Sequence, residues 1–197
     1  MTNYSLLVEV PGQRALQMLA QQRSRLCLAF SVENEQPNVI ASSSSLAPNI
    51  ETRWSDDYAI AATQSNFMRG AQVEASTEPE SISPGQTYTL NPDFTGSVGG
   101  GGPQGSFRFN NQADRAAPIL YRTMGFERSP IYVGSSQLPR GASQEIQPGN
   151  KVTVWFQPNG STGTMIDRFN SQPFEIDMSG RTNATVVFSD DFRWSLQ

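Results

Sequence analysis

A chain of 197 residues, 37% of them hydrophobic, with 11 Phe, 5 Tyr and 3 Trp, has the apolar and aromatic content to bury a core, which excludes an intrinsically disordered chain. Its 18 Asp and Glu outnumber 14 Lys and Arg, for a net charge of −4, so the basic footprint of a general nucleic-acid binder is missing. With no His and one Cys, the usual forms of Ser-His-Asp and Cys-His catalysis, of His-ligated zinc or copper and of an intramolecular disulfide are excluded.

In chain order, Tyr4 to Val10 reads as a strand that Pro11 and Gly12 stop. Residues 13 to 24 are strong helix formers, with Leu16, Leu19 and Ala20 at i, i+3 and i+4, and predict one short helix. Such a helix caps a sheet or, in a second reading, lies on a membrane. Its short apolar face carries no aromatic residue, which weighs against the membrane. From Arg25 the pattern is β. Cys27 falls in the apolar run Leu26 to Phe30 and is expected to act as a small buried hydrophobe. Further strands are expected at Asn38–Ser45, Ile50–Trp54, Tyr58–Thr63, Ala71–Thr77 and Thr87–Leu90. Residues 91 to 106 are Gly-rich but contain no Gly-Lys-Ser/Thr and lead into no helix pattern. They therefore read as a hairpin connection, not a phosphate cradle.

The second half continues the theme at Phe107–Phe109, Pro118–Met124, Pro130–Val133, Lys151–Gln157, Thr164–Phe169, Phe174–Met178, Asn183–Ser189 and Arg193–Leu196. One motif recurs: Ile82-Ser-Pro84-Gly85 and Ile146-Gln-Pro148-Gly149 each precede a strand. Pro at i+1 and Gly at i+2 suit a type II turn, which needs positive φ at the Gly. About a dozen short strands between turn signals predict a single all-β domain over residues 1–197, an antiparallel sandwich or barrel-like sandwich with one N-terminal helix.

Charge is uneven. Residues 33 to 93 hold nine acids against two Arg, and residues 108 to 140 hold five Arg against two acids. Two solvated faces of opposite sign account for this, and pairing of copies in a homo-oligomer is the sharper reading. The amino terminus lacks the features of a signal peptide and no run is long enough to span a membrane. A cytoplasmic location, or release without a classical signal, is expected.

The residue types that point to chemistry are two Asp pairs beside aromatics: Trp54-Ser-Asp56-Asp57-Tyr58 and Asp190-Asp191-Phe192-Arg193-Trp194. As a structural reading, each Asp pair makes a turn through its own side-chain hydrogen bonds. As a functional reading, a ring stacks on the apolar face of a sugar while a carboxylate accepts its hydroxyls, giving Trp54, Asp56, Asp57, Tyr58, Asp190, Asp191 and Trp194 as candidate ligand-binding residues. Ca²⁺ and two-carboxylate hydrolysis use similar groups. Adjacent strand residues point to opposite faces, so one of each pair is expected to face a site. Asn110 to Asp114 is a further polar cluster, and Tyr121, Phe126, Tyr132 and Trp155 are further aromatic candidates, most of them expected in the core. The function expected is a non-enzymatic, lectin-like module for a glycan or small polar ligand, with no catalytic residue, no cofactor, no metal and no nucleic-acid partner. A membrane-binding, pore-forming cytolysin-like protein and a metal-independent enzyme of cyclase or isomerase type are the alternatives. With one helix of about three turns, far-UV circular dichroism is expected to show less than about one-fifth helix.

Overall fold

The computed structural model describes residues 1–169 and 171–197. In chain order the elements are β1 (Asn3–Glu9), α1 (Gln13–Gln21), β2 (Ser24–Val32), β3 (Ser42–Ser44), β4 (Asn49–Thr63), β5 (Glu80–Ile82), β6 (Thr87–Leu90), β7 (Gly96–Gly99) and β8 (Phe107–Asn111). They continue with β9 (Ala117–Met124), β10 (Glu127–Val133), β11 (Ser143–Ile146), β12 (Pro148–Pro158), β13 (Phe174–Asp177), β14 (Asn183–Phe188) and β15 (Trp194–Leu196). The all-β sandwich expected from the sequence is what forms.

The larger sheet runs β10-β9-β4-β1-β14-β15, with β5 added on β4; two four-stranded sheets run β11-β8-β6-β7 and β13-β12-β2-β3. Strand pairs are antiparallel except β1 with β14 and β6 with β8. Both smaller sheets pack on the larger one, as three aromatic pairs show: Phe30 of β2 on Trp54 of β4 at 5.4 Å, Tyr58 of β4 on Phe107 of β8 at 5.1 Å, and Phe156 of β12 on Phe188 of β14 at 5.1 Å. One apolar cluster draws residues from all three sheets and from Ala15 and Leu19 of the helix. A second, around Val39, Ile119, Val133 and Met165, covers the other face of the large sheet. This is why β4 alternates through Ile50, Thr52 and Trp54 but is buried continuously from Tyr58 to Thr63.

Several local expectations are corrected. Ile50–Trp54 and Tyr58–Thr63 are one 15-residue strand, so Asp56-Asp57 is not a turn between strands. Residues 71–77 and 164–169 form no ladder among the described residues; they meet in isolated bridges, because each is a loop laid over the large sheet. The polar strand at 38–45 shrinks to Ser42–Ser44. Within the Gly-rich stretch, Gly96–Gly99 pairs with β6 and so supplies an edge strand. The helix ends at Gln21, where Gln22 caps it and Arg23 turns left-handed at φ 55°. Its buried face is Ala15 and Leu19, with Leu16 half-buried and Ala20 exposed.

The twin Pro-Gly units are not twins. Gly85 has φ 93° and makes the expected turn. Gly149 lies inside β12, where a four-residue advance from Pro148 to Val152 is matched by a two-residue advance from Val32 to Phe30. It has no positive φ. It is a bulge glycine whose Cβ, were there one, would strike Ser31 Oγ. Cys27 is fully buried beside Ala29, Ile40 and Trp155, and desolvation pushes its thiol up to about 12.

Two outcomes follow. Gly85→Val is expected to cost about 1–3 kcal/mol through the positive φ, read from chemical denaturation. Cys27, neutral and buried, is expected to resist a disulfide reagent at pH 8 in the native protein and to react once the chain is unfolded.

Candidate functional site

The first Asp pair sits on a bulge. Trp54 opposes Met124 and Tyr58 opposes Arg122, so β4 advances four residues where β9 advances two. The extra length bends β4 and re-aims its side chains. Trp54 and Tyr58 go inward, 3% and 6% exposed. Asp56 is half-buried and its Oδ1 accepts the Thr2 amide at 2.8 Å, while the Asp56 amide donates to the Thr2 carbonyl. It ties the amino terminus to β4. Asp57 is exposed, and its Oδ2 accepts the Thr123 hydroxyl at 2.9 Å from β9.

Beside this bulge lies an open groove of about 460 Å³ whose walls include Asn3, Arg53, Trp54, Asp57, Thr123 and Phe126. Phe126 stands at the tip of the β9–β10 hairpin, fully exposed. Gly125 makes that tip with φ 64° and donates its amide to the Arg53 carbonyl at 3.0 Å, which fixes the hairpin against β4. The exposed ring is thus Phe126, not Trp54.

Below the bulge, Arg122 is 6% exposed. Its guanidinium carbon lies 4.8 Å from the Phe30 ring centre, 5.0 Å from Tyr58 and 5.6 Å from Tyr4. Nε donates to the Ser55 carbonyl, freed by the bulge, at 2.7 Å. Burial lowers the guanidinium pKa, opposed by Tyr58, Tyr4 and Asp56. Burial likewise raises the Tyr58 hydroxyl, with Arg122 opposing. In the sequence Arg122 is one of five basic residues between 108 and 140. The missed signal is its register: Leu120, Arg122 and Met124 share a face of β9, so an arginine stands in an apolar row.

The second Asp pair is a turn between β14 and β15, with Phe192 at φ 60°. Asp190 Oδ1 accepts the Ala15 amide of α1 at 2.9 Å. Gly12, the N-cap before Gln13, has no side chain to cap the helix, so Asp190 supplies from 175 residues away the bond an N-cap normally makes. A Cβ at position 12 would overlap that carboxylate. Asp191 is exposed. Trp194 is half-buried, stacked on Phe156 at 5.4 Å and Phe174 at 6.0 Å, and donates Nε1 to the Gln172 carbonyl at 3.2 Å.

The structure therefore brings Trp54, Asp57 and Tyr58 together around one bulge and leaves Asp190, Asp191 and Trp194 as a separate group at the helix. Of the other candidates, Tyr132 and Trp155 are core and Tyr121 is half-buried. Asn111 is buried, donating to the Asp114 and Leu138 carbonyls, and holds its own turn. Among the described residues no three Asp, Glu or Cys side chains converge, and no helix is long and apolar enough to cross a membrane. Comparison of the chain with protein families, curated proteins and solved structures yields no match.

Asp190→Ala is expected to cost about 0.5–2 kcal/mol, the range for loss of an N-cap. Gly12→Ala should destabilise through overlap with the same carboxylate. The double variant should lose less than the two singles together, and additive losses in a denaturation cycle would break the link.

Proposed function

We propose that the chain is a non-enzymatic binding module for a glycan or a comparable hydroxylated ligand, and that the groove beside the β4 bulge is its binding surface. The observation that carries this reading is the fully exposed Phe126 ring on the same groove as the Asp57 carboxylate. An exposed ring offers a flat apolar face to a sugar with little side-chain entropy to lose, and the carboxylate, oriented by Thr123, accepts hydroxyl hydrogen bonds. Asn3 and Arg53 add an amide and a cation along the walls. Trp54 supports the floor from beneath, stacked on Tyr4 at 5.9 Å.

The membrane reading rested on a helix with a free apolar face. That face is buried, through Ala15 and Leu19, and the helix start is bonded to Asp190, so the groove is the better supported surface.

The test is a glycan array followed by calorimetry on the strongest ligand. Phe126→Ala is expected to weaken binding by about 1–3 kcal/mol while the melting temperature stays unchanged, because a fully exposed ring contributes little to the fold. Trp54→Ala should instead lower stability by about 3–5 kcal/mol. Binding unaffected by both Phe126→Ala and Asp57→Asn would remove the groove as the site.

A further inference from the structure

A buried charge in a folded protein is normally paired with an opposite charge. Arg122 is not. The ion pairs among the described residues are Arg53 with Glu51, Arg108 with Glu145 and Lys151 with Glu175, and none includes it. Only Nε has an acceptor, the Ser55 carbonyl. Nη1 and Nη2, which carry four of the five N–H donors, have no protein acceptor among the described residues and are not fully enclosed, so they are open to a ligand from solvent.

Arg122 lines a slot of about 30 Å³ between β4 and β12 that opens partly to solvent. The rings of Tyr4, Phe30 and Trp54 line one part of it, the β12 bulge at Gly149 to Lys151 another, and Val152 and Met178 close the apolar remainder. Two register shifts in two sheets border this slot: the first frees the Ser55 carbonyl that holds Nε, and the second carries Gly149 to Val152, which line it. Lys151 lines the slot as part of β12, while its ammonium pairs with Glu175 at 3.4 Å on the exposed face. Asp56 is the nearby acid, and its Oδ1 is engaged by the Thr2 amide.

We propose that this slot is a second binding site, separate from the Phe126 groove, and that it takes one carboxylate group. With Nε occupied, the carboxylate oxygens meet Nη1 and Nη2 end-on in a bidentate pair. The size of the slot selects a planar two-oxygen head over a tetrahedral phosphate. The apolar wall of Val152 and Met178 accepts the carbon side of the acid. The rings of Tyr4, Phe30 and Tyr58 hold the guanidinium in place by cation–π attraction.

The probe is acetate, titrated into the wild-type protein with the Arg122 side-chain nitrogens followed by NMR. Chloride at equal ionic strength and inorganic phosphate are the controls, and butyrate distinguishes a bare carboxylate from one carried on an alkyl chain. Saturable shifts at Arg122 with acetate or butyrate, and none with chloride or phosphate, are expected. Arg122→Lys, which keeps the charge and loses the fork, should abolish acetate binding; if that variant does not fold, the wild-type titration against chloride and phosphate decides alone. No saturable shift, or equal shifts with chloride, would overturn the site. Binding of phosphate in preference to acetate would overturn the assignment to carboxylate. A glycan that still binds Phe126 when acetate does not bind would leave the groove standing and this site refuted.

Discussion

The structure depends on how the Arg122 guanidinium is held between sheets. Placing a cation in an apolar interior is costly, and here no carboxylate offsets it directly. The compensation comes from three aromatic faces and one backbone carbonyl. Each recruits a different part of the chain: Tyr4 from β1, Phe30 from β2, and Ser55 and Tyr58 from β4. The cation therefore links the large sheet to the sheet of β2 and β12. Replacing any one of these rings alters the environment of a charge as well as the packing of a core.

That constraint also explains the bulges. A regular β4 would pair its carbonyls with β9 and leave Nε without an acceptor. The two extra residues on β4 release the Ser55 carbonyl toward Arg122 and at the same time turn Asp57 out to Thr123. One backbone irregularity thus produces both the interior contact and the polar wall of the surface groove. The matching irregularity in β12 is made by Gly149, whose missing side chain allows close approach to Ser31.

At the other end of the sandwich, a similar economy fixes the helix. Gly12 and Asp190 are complementary, the absent side chain of one making room for the carboxylate of the other. The bond joins the amino-terminal helix to the turn between the last two strands, so the chain's two ends stabilise each other. Arg14 lies over Phe192 of the same turn at 5.4 Å and adds to the contact.

Local pattern was enough to determine the fold class, the single helix, the buried thiol at Cys27 and the turn at Gly85, because period-2 alternation, helix propensity and Pro-Gly stereochemistry act over a few residues. It also picked out the Trp54–Tyr58 segment on which the groove is built. It could not assign roles within that segment. Whether Asp56-Asp57 is a turn or a bulge depends on the register against Met124 and Arg122, which lie about 65 residues away in the sequence. Whether Gly149 turns or bulges depends on Ser31. Asp190 looks like one half of a ligand-binding pair until Ala15, 175 residues away, is found at its oxygen. Arg122 looks like a surface charge until Tyr4, Phe30 and Tyr58 close around it. Those contacts join residues far apart in the chain, so they exist only once the sheets have packed.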